Sequence, residues 1–335
     1  MLKNKLMWIA GKIKDSFAMV IKGIKYLFNS WPKAFIGTLL LLACLYYPLG
    51  GKMSENIDKT SDYEFSSLAE TQSQTAEAIA YLIDRETNQH LWTANLPFFF
   101  PAYCLDNMPN FQTGMLKVLS SIVGTFATQI NCPNDEKKQK LLSTASNLLA
   151  YPPNVWLFDT ENKLKTAPSS SSQYRKAYKK IKDLNNALKD EKCFWVRDTK
   201  NFAEINKTII IGLKKTSKYL ENEIREGNNS WFDTHADDVF YYNQGRIYAY
   251  MIILKKLGRD YKQVLMSEGI YQDWTTAIRA LQNGTEIAPY PVLNGDIKHG
   301  IKANHLAALG YYTLKAQSLL MKIDSHLYEG NKNDN

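Results

Sequence analysis

Apolar positions along this chain recur mostly at helical spacing. Leu2, Leu6, Ile9, Ile13, Phe17, Val20, Ile24 and Leu27 step by three or four, which predicts an amphipathic helix with lysines on its other faces. From Ala34 to Gly50 the periodicity gives way to seventeen residues without a charge, AFIGTLLLLACLYYPLG. At about 1.5 Å per residue, and extended by Trp31 and Gly51, that run approaches the ~30 Å hydrocarbon core of a bilayer. Trp31 at one end and Tyr46 with Tyr47 at the other suit its two interfaces. Residues 1–30 therefore read as a basic amphipathic arm, 31–51 as one transmembrane helix and 52–61 as a polar linker.

Beyond the linker, Ser61-x-x-Glu64 has the form of a capping box and predicts a helix running to about Asp84. Further helical periods cover about 110–130, 136–150, 171–190, 199–226, 237–257 and 304–326. Residues 239–258 are apolar on most faces and predict a central helix surrounded by others. Alternating strand patterns are nearly absent, so the expected fold is all-α. Residues 151–173, with Pro152, Pro153, Pro168 and a run of serines, interrupt the helices and separate an anterior part, 62–150, from a posterior bundle, 174–335. A single packed unit is favoured over two domains.

Charge sharpens this picture. The chain carries +8, but residues 1–33 hold seven lysines against one aspartate, so the body is close to neutral. A large footprint for a nucleic-acid backbone is therefore excluded, and the lipid bilayer is the partner that the arm and span imply. Lysines crowding one flank of the span place the amino terminus in the cytoplasm and the body outside it. The long region before the apolar run, with no A-x-A-like site after it, favours an anchor over a cleaved signal peptide. Cys44 falls in the span. Cys104, Cys132 and Cys193 permit one disulfide in three pairings, although burial as small apolar residues is the simplest expectation.

Two stretches carry candidate chemistry. Residues 90–111 hold three prolines and six aromatics, which requires an ordered non-helical connection. Its candidate binding residues are Trp92, Asn95, Asp106, Asn107, Pro109, Asn110 and Phe111. Equally, Asn110 is suited to cap the following helix while Asp106 and Asn107 close a turn. The second stretch gathers Asp233, His235, Asp237 and Asp238, which with Asp106 are the candidate catalytic residues for acid–base chemistry. Thr234-x-x-Asp237 also has the form of a capping box, and Arg246, two turns on, is placed to pair with one of these acids. No fingerprint for a nucleotide, cofactor or metal occurs.

Leu82-Ile-Asp84-Arg85-Glu86, Trp92-x-x-Asn95 before Pro97-Phe-Phe, Leu105-Asp106-Asn107-Met108-Pro109-Asn110-Phe111-Gln112-x-Gly114, Asp237-Asp238-x-Phe240-Tyr241 with Gly245, and Asn304-His305-Leu306 together resemble a proteobacterial family catalogued as domain of unknown function 2333. The resemblance implies an uncharacterised inner-membrane protein with a periplasmic body, and carries over no catalytic residue. The reading that results is a membrane-anchored envelope protein serving as an interaction or scaffolding module, with an envelope protein as partner. The alternative is a periplasmic hydrolase of glycan or peptidoglycan using paired carboxylates.

Overall fold

The structure, a computed structural model, describes every residue except 1, 66, 134, 160–164, 227–233, 297–301 and 334–335; for 2–17, 23–24, 26–30, 158–159, 165, 234 and 330–333 it describes the backbone alone. The expected class holds: the fold is all-α, and among the described residues the only sheets are two antiparallel pairs of two-residue strands. Helix α1 (Leu2–Ser54) runs through Pro32 and Pro48, so the arm and the apolar run form one rod. Its segment Trp31–Ser54 is the one stretch among the described residues long and apolar enough to cross a membrane. Phe35, Ile36, Leu39, Leu40, Leu41 and Leu42 are all exposed along it.

The helix expected from Ser61 does not form. The described residues of this stretch stay non-helical until α2 (Gln74–Asp84), which Ser73 caps by accepting from the Ala76 amide. The reason is a set of long-range partners. Glu64 takes a bidentate pair from Arg259 at 2.6 and 2.7 Å, Lys255 donates to Ser61 at 2.9 Å, and Thr60 offers its carbonyl to the Tyr248 hydroxyl. These contacts spread the segment over the body, and a local capping box cannot compete with them.

After α2 a single π turn (Arg85–Gln89) leads into the aromatic connection, and then come α3 (Asn107–Gln129), α4 (Glu136–Gln139), α5 (Leu141–Leu149), α6 (Ser170–Lys189), α7 (Thr199–Glu226), α8 (Thr234–Asp260), α9 (Lys262–Ser267), α10 (Tyr271–Glu286) and α11 (His305–Asn333). Helix α8 is the central helix that its apolar faces predict; from Ile247 to Leu254 every side chain is buried. Helix α3 crosses α8 at backbone contact, because a Cβ at Gly114 would overlap the Tyr242 carbonyl and one at Gly245 the Phe111 carbonyl. The pair α5–α6 packs against α3 and α2, while α7, α10 and α11 close the other side. One hydrophobic cluster extends from Ala76 to Leu327, so helices on both sides of 151–173 share a core.

Helices α9 and α10 were not expected. Helix α10 buries Trp274 beside Ala277, Ala280 and Gly284, and so small a stripe gives little apolar periodicity. The cysteine expectation also needs correcting. Cys132 and Cys193 form a disulfide beside the strand pair Ile130–Asn131 and Phe194–Trp195, and Cys104, like Cys44, is exposed and free.

Candidate functional site

Most of the predicted binding loop is spent on holding the fold. The Trp92 indole is buried, donates to the Pro153 carbonyl at 3.0 Å and meets the Tyr174 ring edge-on. Asn95 donates to the Val155 carbonyl at 2.8 Å, so both residues secure the 151–157 segment. Phe111 is buried against Tyr248. Asp106, rather than Asn110, caps α3, with Asn107 opening the helix and Pro109 in its first turn, where a missing amide proton does no harm. Asn110 instead reaches across and donates to Asp238 at 2.7 Å.

Gln112 continues this framework. Fully buried, it accepts from the Thr93 amide at 3.0 Å and donates to Glu86 at 2.8 Å. Glu86 accepts from Arg85 at 2.7 Å, and Arg85 donates to the Tyr63 and Tyr248 hydroxyls and lies 3.3 Å from Asp58. This buried network ties the 58–63 segment, the π turn, α3 and α8 together. Sequence reasoning noticed Arg85 and Glu86 only as part of a resemblance. Their side-by-side charges in an apolar period were the available signal.

The candidate acids are brought only partly together. Asp106, Asp237 and Asp238 lie near one another and near Glu55, at the end of α1. Burial, and then repulsion from Asp106, Asp238 and Glu55, pushes the Asp237 carboxyl up to about 6. Burial also raises Asp238, and it lifts the neighbouring Tyr241 hydroxyl to about 12. His235 turns toward α7, its Nδ1 2.7 Å from Glu223. Asp233 lies outside the described residues. Asp238 and His235 line one pocket that Asp106 and Asp237 do not. Among the described residues no group of three or more His, Cys, Asp or Glu is arranged for a metal ion.

The pocket at Asp238 is one end of a longer groove. Lined also by Asn110, Tyr219 and Tyr242, it encloses about 480 Å³ and shares Lys215 and Arg246 with a larger cleft of about 620 Å³ between α3 and α7. The cleft has Lys117, Ser121 and Thr125 on one wall, Glu204, Lys207 and Ile211 on the other, and Arg246 with Tyr250 as its floor.

Arg246 does not pair with the acids of its own helix, contrary to expectation. Its Nε donates to Thr216 at 2.8 Å, one Nη donates to the Gly212 carbonyl at 3.1 Å, and the guanidinium lies 5.8 Å from the centre of the Tyr242 ring. Gly212 also lets the Tyr250 hydroxyl approach α7, since a Cβ there would overlap it. Arg246 is only 9% exposed, and the partners of its hydrogen bonds among the described residues, Thr216 and Gly212, carry no charge. A buried cation with neutral partners, flanked by three exposed lysines, can bind an anion.

Comparison with known proteins finds no match among curated proteins and none among solved structures. A family model does match, over residues 201–330, from the first turn of α7 into the last turns of α11, carboxy-terminal to the LDNMPNFQ segment. The family is described as an uncharacterized protein conserved in bacteria, DUF2333, and it is the family that the chain's motifs resemble.

Proposed function

We propose that the protein is a single-span envelope protein with a cytoplasmic amino terminus and a periplasmic helical body, and that the body is an interaction module that takes an anionic group of its partner into the α3–α7 groove. The seven lysines before the apolar run support the orientation. So does the Cys132–Cys193 disulfide in the body, because such bonds persist in oxidising compartments. Alkaline phosphatase fused to the carboxyl terminus is expected to be active and green fluorescent protein dark; the reverse pattern would end this reading.

The observation that carries the interaction role is Arg246, a buried guanidinium facing a groove and lacking a counter-charge. A carboxylate or phosphate of a partner would supply that charge, with Lys117, Lys207 and Lys215 extending the contact. The test is a photo-crosslinking residue at Ser121, on the groove wall, in living cells. Removing a charge-assisted bond worth about 1.5–3 kcal/mol should cut the adduct roughly tenfold or more in Arg246→Gln. An adduct of undiminished yield, or none from the intact protein, would overturn the proposal.

A second reading, the periplasmic hydrolase of glycan or peptidoglycan, is favoured by one observation: Asp237 holds its proton to about pH 6 among other carboxyl groups, as a general acid must. Peptidoglycan turnover by the purified full chain, abolished in Asp237→Asn, would support it, and an inert wild-type protein would remove it.

A further inference from the structure

The place where the body meets α1 has a composition that the interaction role does not use. The aromatic connection folds back on itself after Leu96: the Phe100 amide donates to the Pro97 carbonyl at 2.9 Å, the Tyr103 amide to the Phe100 carbonyl at 3.0 Å, and Pro101–Cys104 form one 3-10 turn. This tip rests on the outer end of the apolar run. The Tyr46 hydroxyl donates to the Phe99 carbonyl at 2.9 Å and the Tyr47 hydroxyl to the Phe98 carbonyl at 2.7 Å. Gly50 admits Pro101 where any side chain would collide with its ring.

The Phe98 side chain is nonetheless 68% exposed, Phe99 keeps 48% of its surface exposed although its ring stands edge-on to Trp156 at 5.5 Å, and Tyr103 is exposed as well. Leu45 and Leu49, in the same stretch of α1 as Tyr46, Tyr47 and Gly50, are exposed too. Tyr46 lies fifteen residues beyond Trp31, about 23 Å along the axis at about 1.5 Å per residue, so in a ~30 Å core both tyrosines sit near the outer boundary. A loop hydrogen-bonded to them is held at the same depth.

Irregular backbone at that depth is tolerated only if its polar groups find partners. Here the carbonyls of Phe98 and Phe99, at the exposed tip, are the ones the tyrosines satisfy. Lys52, paired with Glu55 at 3.0 Å, and Asp106 set the limit of immersion, since charges do not enter hydrocarbon.

We propose that the Phe98–Phe99 tip inserts into the outer interface of the bilayer that α1 crosses, a second foot that fixes the height and tilt of the body on the membrane. This rests on the single-span reading. The two are tested together in phosphatidylethanolamine–phosphatidylglycerol vesicles holding the full chain, with an environment-sensitive fluorophore on one thiol at a time: native Cys44 in Cys104→Ser, native Cys104 in Cys44→Ser, Phe98→Cys with both native free thiols changed to Ser, and Tyr311→Cys on α11 in that same background.

Quenchers are nitroxides at shallow and deep positions of the lipid tail, and iodide in the water. The expected result is that the labels at 98 and 104 lose most of their emission to the shallow nitroxide and little to iodide, the label at 44 is quenched by the deep nitroxide, and the label at 311 responds to iodide alone. The Cys104 label leaves both phenylalanines in place, so it reports even where Phe98→Cys disturbs the tip. If 44 is quenched from the tail while 98 and 104 behave like 311, the span stands and the second foot falls. If 44 escapes tail quenching, the span reading fails and takes this proposal with it.

Discussion

Arg85 and Arg246 make a controlled comparison within one molecule. Each guanidinium is buried and lies near the face of a tyrosine of α8, 5.3 Å from the Tyr248 centroid and 5.8 Å from that of Tyr242. Their surroundings differ in one respect. Arg85 has two carboxylates, Glu86 and Asp58, beside its tyrosine hydroxyls, whereas Arg246 has only neutral partners, the Thr216 hydroxyl, the Gly212 carbonyl and the nearby Tyr250 hydroxyl. Burying a charge is costly unless it is neutralised, so the first site is complete in itself and the second is complete only with something added. Burial alone therefore does not separate a structural arginine from a binding one; the counter-charge does.

The largest effect should come from breaking the complete site. Glu86→Gln keeps the shape and removes the adjacent charge, leaving Arg85 with Asp58 alone in the interior. The expected loss is about 3–5 kcal/mol, read as a shift of the urea midpoint in detergent. A loss below about 1 kcal/mol would mean that Arg85 is not held by charge at all, and the contrast with Arg246 would dissolve. Next in size is Gly245→Ala, which leaves both arginines untouched and tests the scaffold between them. Its new methyl would collide with the Phe111 carbonyl, backbone that cannot step aside without separating α3 from α8. A cost of about 1–3 kcal/mol is expected, and a neutral result would show that α3 and α8 do not cross at backbone contact.

These two sites were unequally legible in the sequence. Periodicity is a local signal, so α7, α8 and α11 could be read from it, and the wholly apolar α8 could be placed at the centre. What lies in long-range pairing could not. Ser61 and Glu64 match a capping box, yet they answer to Lys255 and Arg259 nearly two hundred residues on. The LDNMPNFQ segment looks like a binding loop because it is polar and proline-bearing. Its polarity is consumed by Asp106 capping α3, Asn110 crossing to Asp238 and Gln112 closing the Glu86 network. Arg246 was visible only as a partner for nearby acids, because nothing local reveals that its helix turns it toward Gly212 and Thr216.

Asp237 repeats the comparison with the sign reversed, as a carboxyl group facing carboxylates. Its proton affinity in the folded protein is raised to about 6 from an ordinary value of 3.8. A raised value means that the folded state holds the proton more tightly than the unfolded one. The stability tied to that proton is fully present below about pH 4 and is lost as pH rises through about 6. Discounted for solvent screening at a partly exposed site, the loss is on the order of 1 kcal/mol. Asp237→Asn should flatten the profile of melting temperature between pH 4 and 7, and a mutant whose slope matches wild type would place the titration elsewhere.

The smallest effect on stability is expected at the incomplete site. Arg246→Met keeps a long unbranched stem against Tyr242 and removes a charge that nothing in the fold neutralises. The partners it leaves are not stranded, because Thr216 still donates to the Gly212 carbonyl at 3.0 Å. Exchanging an uncompensated buried cation for an apolar side chain of similar length should change stability by less than about 1 kcal/mol in either direction. The crosslink from Ser121 should nevertheless disappear. Stability kept and binding lost is the signature of a charge retained for a partner. A loss of about 3 kcal/mol or more, on the scale of Glu86→Gln, would instead make Arg246 a second Arg85, with the groove an incidental gap between α3 and α7.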